Sequence, residues 1–486
     1  MRKRFEQQLS LGQILIEDVQ IRLKSRDSID ELMAALQKVF LTPSYNEQIF
    51  EILESKINKG KKKTGRPGMD LWHIFVLAQL RLCINASYDR LCHMANNDKT
   101  VRTIMGVEKE SGYDYKEFDY QNIYDNLTLL DDQTVRQLNE VIVGFGHEVF
   151  KKKEEAALRL KTDSFVVESN VHFPTDYNLL WDCSRKCLDM VVKFLNKYDY
   201  IKGWRKIGNW RSELKGLMRE FGKVNSSGGK NKDQRIKHAA TAYLTKTKIL
   251  LNKLENEAPK LPLKDTKDLS VHLVLEEFML LMKKHIDLLE RRVLNGEQIP
   301  HSEKLFSVFE HYTEWVNKGK LSPNVELGKK LGITTDQYNL IVDYQVMDHE
   351  QDRDIIIGLA DRLLKKWMID SWSFDKGYWN KDNKAILSLE IAKVIMPKLG
   401  KRNQQETEQE HSIGFKRLKN KHSAIESNIN ELEHRGLDKC PDRSYHHFKT
   451  YIGLGVCAYN LKKIGRAILE AKRVELKARP ALLKAA

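Results

Sequence analysis

Hydrophobic positions follow a helical spacing through the first third of the chain. Residues 1 to about 150 predict several helices and carry no strand-like alternation. The clearest helical segments run from Ile29 to Val39, from Tyr45 to Ile57, from Asp70 to Leu82 and from Tyr88 to Asn96. Asp70 and Ser87 are predicted N-caps of the last two. Because a short break separates these two helices, they predict a helix-turn-helix-like segment.

From Leu158 the spacing changes to the alternation of a β-strand. The stretch LRLKTDSFVVESNV alternates and is rich in β-branched residues. A second β region is predicted from Leu305 to about Val346. Within it, apolar positions from Val325 to Ile333 and from Leu340 to Val346 flank a turn-forming Thr-Thr-Asp-Gln, which predicts a hairpin.

The remaining pattern predicts a sheet that is interrupted by a helical insertion. A helix with Ile355, Ile356, Leu359 and Leu363 on one face is followed by a short strand from Met368 to Phe374. Hairpin, helix and strand in this order suit a mixed α/β sheet covered by helices. The predicted parts are a helical domain (1–150), a mixed α/β core (151–176 and 301–465), an all-α insertion (177–300) and a basic C-terminal tail (466–486).

Charge narrows the choice of partner. Lysine and arginine outnumber aspartate and glutamate by 82 to 67, a net charge of +15, which favours a polyanion and first of all nucleic acid. The N-terminal sequence lacks an apolar signal core, and no stretch approaches the length of a membrane span, so a cytoplasmic protein without a membrane partner is expected. None of the six cysteines has CxxC spacing, which argues against structural zinc.

A basic run lies between the predicted helices of the N-terminal domain. Its cations predict contacts to DNA phosphates, with the arginine entering a narrow minor groove. The alternative is a solvated linker, and the basic character of the whole chain favours DNA. The residues predicted to bind DNA here are Lys61, Lys62, Lys63 and Arg66.

Three carboxylates stand at positions that suit metal-dependent phosphodiester chemistry. Such chemistry needs two divalent cations held by oxygen ligands on rigid elements. Asp163 lies within the first predicted strand, Asp375 directly follows a later strand, and Glu426 lies on a helix with Asn430 on the same face. Each also has a structural alternative: an edge-strand charge, a turn former, and a capping box formed by Ser423 and Glu426.

Several ordered motifs resemble bacterial insertion-sequence transposases of the DDE type, most closely the ISNCY-like group. KTDSFVVESNVHFPTDYNLLWD resembles the first-aspartate motif, WSFDKGYWNKDN the second, and HSAIESNINELEHRGLDKC the glutamate-helix motif. GRPGMDLWHIFVLAQLRL resembles the helical N-terminal domain of the larger class, and YIGLGVCAYNLKKIGR is typical of the C-terminal end. The matches span residues 65–466 in order, except for the predicted insertion.

The resemblance implies a fold, a chemistry and partners. It implies a ribonuclease-H-like core in which Asp163, Asp375 and Glu426 are catalytic and bind two Mg²⁺ or Mn²⁺ ions. The implied reaction is cleavage at insertion-sequence ends, followed by attack of the freed 3′-hydroxyl on target DNA. The implied partners are double-stranded DNA with terminal inverted repeats, target DNA and a second copy in a homodimer, which together predict association with the bacterial nucleoid.

The resemblance also implies DNA contacts near the glutamate helix. The residues predicted to hold phosphates there are Lys416, Arg417, Lys419, Lys421 and Arg435. Glu433 departs from the basic residue that many relatives carry, and Glu431 and Glu433 are the substitutes if Glu426 points away. Tyr378, Trp379 and Trp181 are candidates for stacking on an unpaired base, with core packing as the alternative.

Two other functions remain open at this point. A nuclease with the same core would cut DNA without joining it, and a catalytically inactive regulator derived from a transposase would bind DNA only. The first alternative shares the triad, while the second would tolerate the loss of Asp163.

Overall fold

The structure is a computed structural model that describes residues 2–6, 13–25, 27–60, 68–108, 115–154, 156–317 and 324–485. The chain divides into two compact units. The first unit contains Met1–Asn170 and Val316–Ala486, and the second contains Val171–Trp315. The predicted DNA contacts at Lys61, Lys62, Lys63 and Arg66 lie outside the described residues.

The N-terminal part of the first unit is helical, as its spacing predicts. Its helices are α1 (Ser28–Phe40), α2 (Pro43–Ile57), α3 (Leu71–Cys83), α4 (Tyr88–Asn97), α5 (Lys99–Ile104), α6 (Tyr120–Leu127) and α7 (Asp132–Val149). Every residue of α3 is buried. Ser87 caps α4 by accepting a hydrogen bond from the Arg90 N–H, as predicted. The Asp70 carboxylate does not cap α3, because it pairs with Lys116 at 3.2 Å.

The second unit is built from four helices around its own apolar core. These are α8 (Asp176–Lys197), α9 (Ile207–Ser226), α10 (Lys232–Glu257) and α11 (Thr266–Leu289). Side chains such as Leu180, Tyr243 and Met282 are completely buried between them. The predicted all-α insertion, residues 177–300, falls within this unit.

The described residues also form a mixed sheet, most of which belongs to the first unit. Its strands are β1 (Leu158–Glu168), β2 (Glu314–Asn317), β3 (Val325–Thr335), β4 (Ile341–Val346), β5 (Ile369–Phe374) and β6 (Lys393–Ile395). The order is β2-β3-β1-β5-β6, and β4 also pairs with β3. β3 is antiparallel to β1 and β4, whereas β1, β5 and β6 run parallel. The predicted hairpin and the strand that ends at Phe374 are confirmed.

One predicted β segment is wrong. The residues from Leu305 to Thr313 form no strand, and β2 begins only at Glu314. Phe306 instead packs against the rings of His301 and Trp315 in the second unit. Apolar residues that pack as aromatic rings in a loop can be spaced like those of a β-strand although the backbone forms no strand.

Helices cover the sheet and complete the first unit. They are α12 (Ile356–Leu364), α13 (Lys381–Glu390), α14 (Gln404–His411), α15 (Ile413–His422), α16 (Ala424–Leu432) and α17 (Tyr445–Ala485). One face of β1 and β5 packs with α12 and α13 in a core that includes Leu160, Trp372 and Leu359. The other face of β1 carries Arg159, Lys161 and Asp163 by strand alternation.

α17 returns to the helical N-terminal part and contacts α1, α3 and α7. Gly465 permits the closest approach, since an added Cβ would lie 1.6 Å from the carbonyl oxygen of Glu31. In the described chain, no helix is both long and apolar enough to cross a membrane.

Candidate active site

The register of two parallel strands brings the two predicted aspartates together. Thr162 of β1 pairs with Phe374, the last residue of β5, so that the next residues along the strands are Asp163 and Asp375. Neighbouring strands lie about 5 Å apart, which makes these two carboxylates direct neighbours. Asp163 is half-buried in the sheet, whereas Asp375 is exposed where β5 ends.

Glu426 reaches the same place from the helical layer. It lies exposed in the first turn of α16, a helix that contacts β1. The alternative capping box does not form, because the Ser423 hydroxyl donates instead to the Asn420 carbonyl at 2.8 Å. The carboxylate of Glu426 is therefore free of the role that competed with metal binding.

All three carboxylates line one cavity of about 450 Å³. Residues that are far apart in the sequence thus meet at a single site. The cavity is also lined by Lys330, Asp352, Tyr378, Asn430 and Glu433. The sequence-predicted triad is brought together as a set.

Asp352 is a fourth carboxylate at this site, and sequence reasoning missed it. The Ser164 hydroxyl donates to its Oδ1 at 2.6 Å, and the Lys330 ammonium donates to its Oδ2 at 3.0 Å. Gly377 leaves room for it, since an added Cβ would stand 3.2 Å from Asp352 Oδ2. The only signal in the sequence is an acid-rich stretch, DHEQDRD, in which spacing alone does not single out Asp352.

The cavity carries more negative charge than its surroundings balance. Burial is the main cause that raises the pKa of Asp163 to about 7, and the charges of Asp375, Asp352 and Glu426 raise it further. The Ser164 N–H opposes the shift by donating to Asp163 Oδ1 at 2.7 Å. A bound cation would relieve the repulsion and favour the ionised form.

The donor set fits divalent metal ions that prefer oxygen ligands. The ligand oxygens of the triad do not all lie within 4.8 Å of one another among the residues that the structure describes. Two ions about 4 Å apart, each about 2 Å from its ligands, accommodate carboxylates that are spread more widely than a single ion allows. The described carboxylates of the triad therefore line one cavity without meeting the spacing that a single ion requires.

His422 stands beside the triad as a neutral group. Its Nδ1 lies 3.1 Å from the Ser373 hydroxyl, and its Nε2 is buried without a hydrogen-bond partner among the described residues. Burial lowers the pKa of His422 to about 4; Asp375 opposes this shift and Lys161 adds to it. Its imidazole is thus uncharged at neutral pH and lies between an acidic and a basic region.

The predicted phosphate contacts near the glutamate helix occupy different environments. Lys416, Arg417 and Lys419 are exposed on α15, directly before α16. Lys421 is also exposed but lines a second cavity. Arg435 is half-buried and donates to the Cys83 carbonyl at 2.7 Å, so its guanidinium has a structural partner.

The two substitutes for Glu426 also differ. Glu431 pairs with Lys463 at 2.8 Å and with Lys462, and these hydrogen bonds lower its pKa to about 2 against the opposing effect of burial. Glu431 is therefore committed to α17. Glu433 lines the carboxylate cavity.

Core packing accounts for two of the three aromatic candidates. Tyr378 is buried against Phe374, with 5.6 Å between the ring centres, and Trp181 is buried in the apolar core of the second unit. Neither ring is open for stacking on a base. Trp379 is half-buried and lines a small surface cavity with Met396.

The site thus gathers five carboxylates and one lysine at the end of a parallel strand pair. Comparisons of the chain with protein-family models, with curated proteins and with solved structures found no match.

Proposed function

We propose that this chain is a DNA transposase with a ribonuclease-H-like catalytic core. The observation that carries the proposal is the convergence of Asp163, Asp375 and Glu426 on one cavity. They come from two adjacent parallel strands and a covering helix, and the motifs around all three resemble one transposase family. Three acidic residues picked at random from the 67 in the chain would not be expected to line the same cavity.

The chain's own residues have separable tasks in this reaction. Asp163, Asp375 and Glu426 would hold two Mg²⁺ or Mn²⁺ ions, because their oxygens and their excess negative charge suit hard cations. Such ions, when bound, activate the attacking oxygen and stabilise the leaving one. Asp163 is held in place by the Ser164 N–H, and β1 and β5 give it and Asp375 a rigid support.

Asp352 and Lys330 would adjust the metal affinity of this site. Lys330 and Ser164 fix both oxygens of the Asp352 carboxylate, which keeps it oriented toward the cavity. A ligand-orienting group of this kind typically changes metal affinity or activity by about 10- to 100-fold. Asp352 is therefore a positioning residue in the proposal rather than a member of the triad.

The basic surface supports DNA as the substrate. The chain carries +15, and Lys416, Arg417 and Lys419 are exposed on the helix that leads into Glu426. Cations at this place would hold the phosphates that flank the cleaved bond. Substrate DNA with terminal inverted repeats, a target DNA and a homodimer that pairs two ends belong to the same proposal.

A joining assay tests the proposal. Purified protein receives DNA that carries the inverted repeats bracketing its gene, already cut to expose 3′-hydroxyl ends, together with target DNA and Mg²⁺ or Mn²⁺. We expect joined products from the unaltered chain and none from Asp163→Asn, Asp375→Asn or Glu426→Gln. Glu408→Gln, at an exposed acid of α14, is the matched control and should join normally.

A parallel reaction with uncut ends, together with a DNA-binding measurement, separates the alternatives. Hydrolysis of uncut ends without any joining would make the chain a nuclease. DNA binding that survives in all variants, with neither cleavage nor joining by the unaltered chain, would make it a regulator. Either result contradicts the proposal.

A further inference from the structure

A second cavity lies beside the carboxylate cavity, on the same face of β1 and β5. It has a volume of about 440 Å³ and is bordered by the hairpin turn and by the junction of α15 and α16. The polar residues that line it are Arg159, Lys161, Gln337, Asn339, Ser371, Ser373, Asn420, Lys421, Ser423 and Ser427. Its chemistry is opposite to that of its neighbour.

The cavity is cationic without an internal counter-charge. Arg159, Lys161 and Lys421 line it, and none of its described lining residues is a carboxylate. The Lys161 ammonium donates to the neutral Asn339 Oδ1 at 3.1 Å. Asp336, an acid whose charge acts on Lys161, already accepts a hydrogen bond from His147 Nε2 at 2.7 Å.

The position of Lys161 is electrostatically unfavourable unless an anion binds beside it. Its side chain is half-buried, and Arg159 and Lys421 line the same cavity. A half-buried ammonium beside two other cations is costly unless an anion joins it. Serine hydroxyls and amide groups around it supply neutral donors for the remaining oxygens of such an anion.

The two cavities are aligned along β1. Asp163 and Lys161 are two residues apart and share one face of the strand, which separates them by about 7 Å. α16 borders both cavities, with Ser427 facing the basic one and Glu426 the acidic one. His422 stands between them, since both Asp375 and Lys161 act on it.

We propose that the basic cavity is a phosphate subsite that holds a phosphodiester of the bound DNA strand next to the one at the carboxylates. This assignment rests on the proposed function. The subsite would fix the register of the strand: when Arg159, Lys161 and Lys421 hold one phosphate, its neighbour lies over Asp163. Arg159 and Lys161 thereby join the exposed α15 cations as substrate-binding residues.

Two probes test the subsite: inorganic phosphate by calorimetry, and a single-stranded oligothymidylate by fluorescence anisotropy over a range of salt concentrations. The variants are Lys161→Gln and the double variant Arg159→Gln with Lys421→Gln, whose two altered side chains are both exposed. Lys472→Gln, an exposed lysine of α17, is the charge control. Thermal unfolding verifies that each variant is folded.

We expect saturable phosphate binding by the unaltered chain and roughly tenfold weaker binding by both variants, as the loss of charged hydrogen bonds implies. The slope of log affinity against log salt for the oligonucleotide should fall by about 0.7 for each lost contact. Lys472→Gln should change neither result.

Three outcomes would overturn the inference. The first is that the unaltered chain shows no saturable phosphate binding. The second is that phosphate binding is unchanged in the double variant. The third is that the variants lose phosphate binding while the salt slope for the oligonucleotide stays the same. The last would leave an anion site unrelated to a DNA strand. Joining by the unaltered chain is measured separately, so a failed proposed function is distinguishable from a failed subsite.

Discussion

Asp163 combines burial with three neighbouring negative charges, and this makes protein stability depend on pH. Because its pKa is raised to about 7, the folded chain binds a proton that the unfolded chain releases near pH 4. The stability that this proton contributes is fully present below about pH 4 and is lost as the pH rises through about 7. Neutral or alkaline solutions without metal therefore strain the site.

Asp163→Asn removes this strain. At pH 8 in EDTA, we expect the variant to be more stable than the unaltered chain by about 1 to 3 kcal/mol, with the difference vanishing near pH 4. Thermal and urea unfolding measure it. Added Mn²⁺ should stabilise only the unaltered chain. Equal pH profiles for both proteins would show that Asp163 is not held in a repulsive, desolvated site.

Asp352→Asn tests the carboxylate that sequence reasoning missed. The substitution keeps the shape but weakens the contacts to Ser164 and Lys330, so joining should fall by about 10- to 100-fold without disappearing. A weaker apparent affinity for Mn²⁺ should accompany the loss. Asp361→Asn, at an exposed acid of α12, is the control. Full joining activity in Asp352→Asn would remove Asp352 from the site.

Elements with regular alternation were predictable from the sequence. β1, the β3–β4 hairpin and β5 each carry enough alternating positions to define a strand, and their order predicted a mixed sheet. β6 was missed because Lys393–Ile395 is too short to alternate detectably. Asp352 was missed because it lies in a loop between β4 and α12, where only tertiary folding decides which acid reaches the site.

The contact between α17 and α1 depends on a missing side chain. A Cβ at position 465 would collide with the Glu31 carbonyl oxygen at 1.6 Å, so Gly465→Ala must push the two helices apart. We expect a loss of about 1 to 3 kcal/mol of unfolding free energy. Gly144→Ala in α7 is the matched control, because its Cβ would meet only Tyr45 at an ordinary 3.7 Å.

Denaturant unfolding of both glycine variants decides the matter. Gly144→Ala should be neutral or slightly stabilising, since alanine favours a helix. A Gly465→Ala protein as stable as the unaltered chain would mean that α17 does not pack closely on α1.

At the scale of the whole molecule, the exposed positive charges predict how the affinity for DNA depends on salt concentration. Lys416, Arg417 and Lys419 form an exposed basic group on α15, the helix that directly precedes α16. Replacing all three by glutamine should reduce the salt slope for duplex DNA by up to about 2.7, or about 0.9 for each phosphate released. Anisotropy titrations measure the slope, with Lys472→Gln as the charge control. An unchanged slope would place the DNA elsewhere.

In the proposed function, Asp163, Asp375 and Glu426 together hold the divalent ions of a phosphodiester-transfer site. Anomalous diffraction from crystals soaked in Mn²⁺ tests it most directly. We expect two manganese peaks about 4 Å apart in the cavity, contacted by all three carboxylates. Crystals that bind Mn²⁺ only outside this cavity would contradict it.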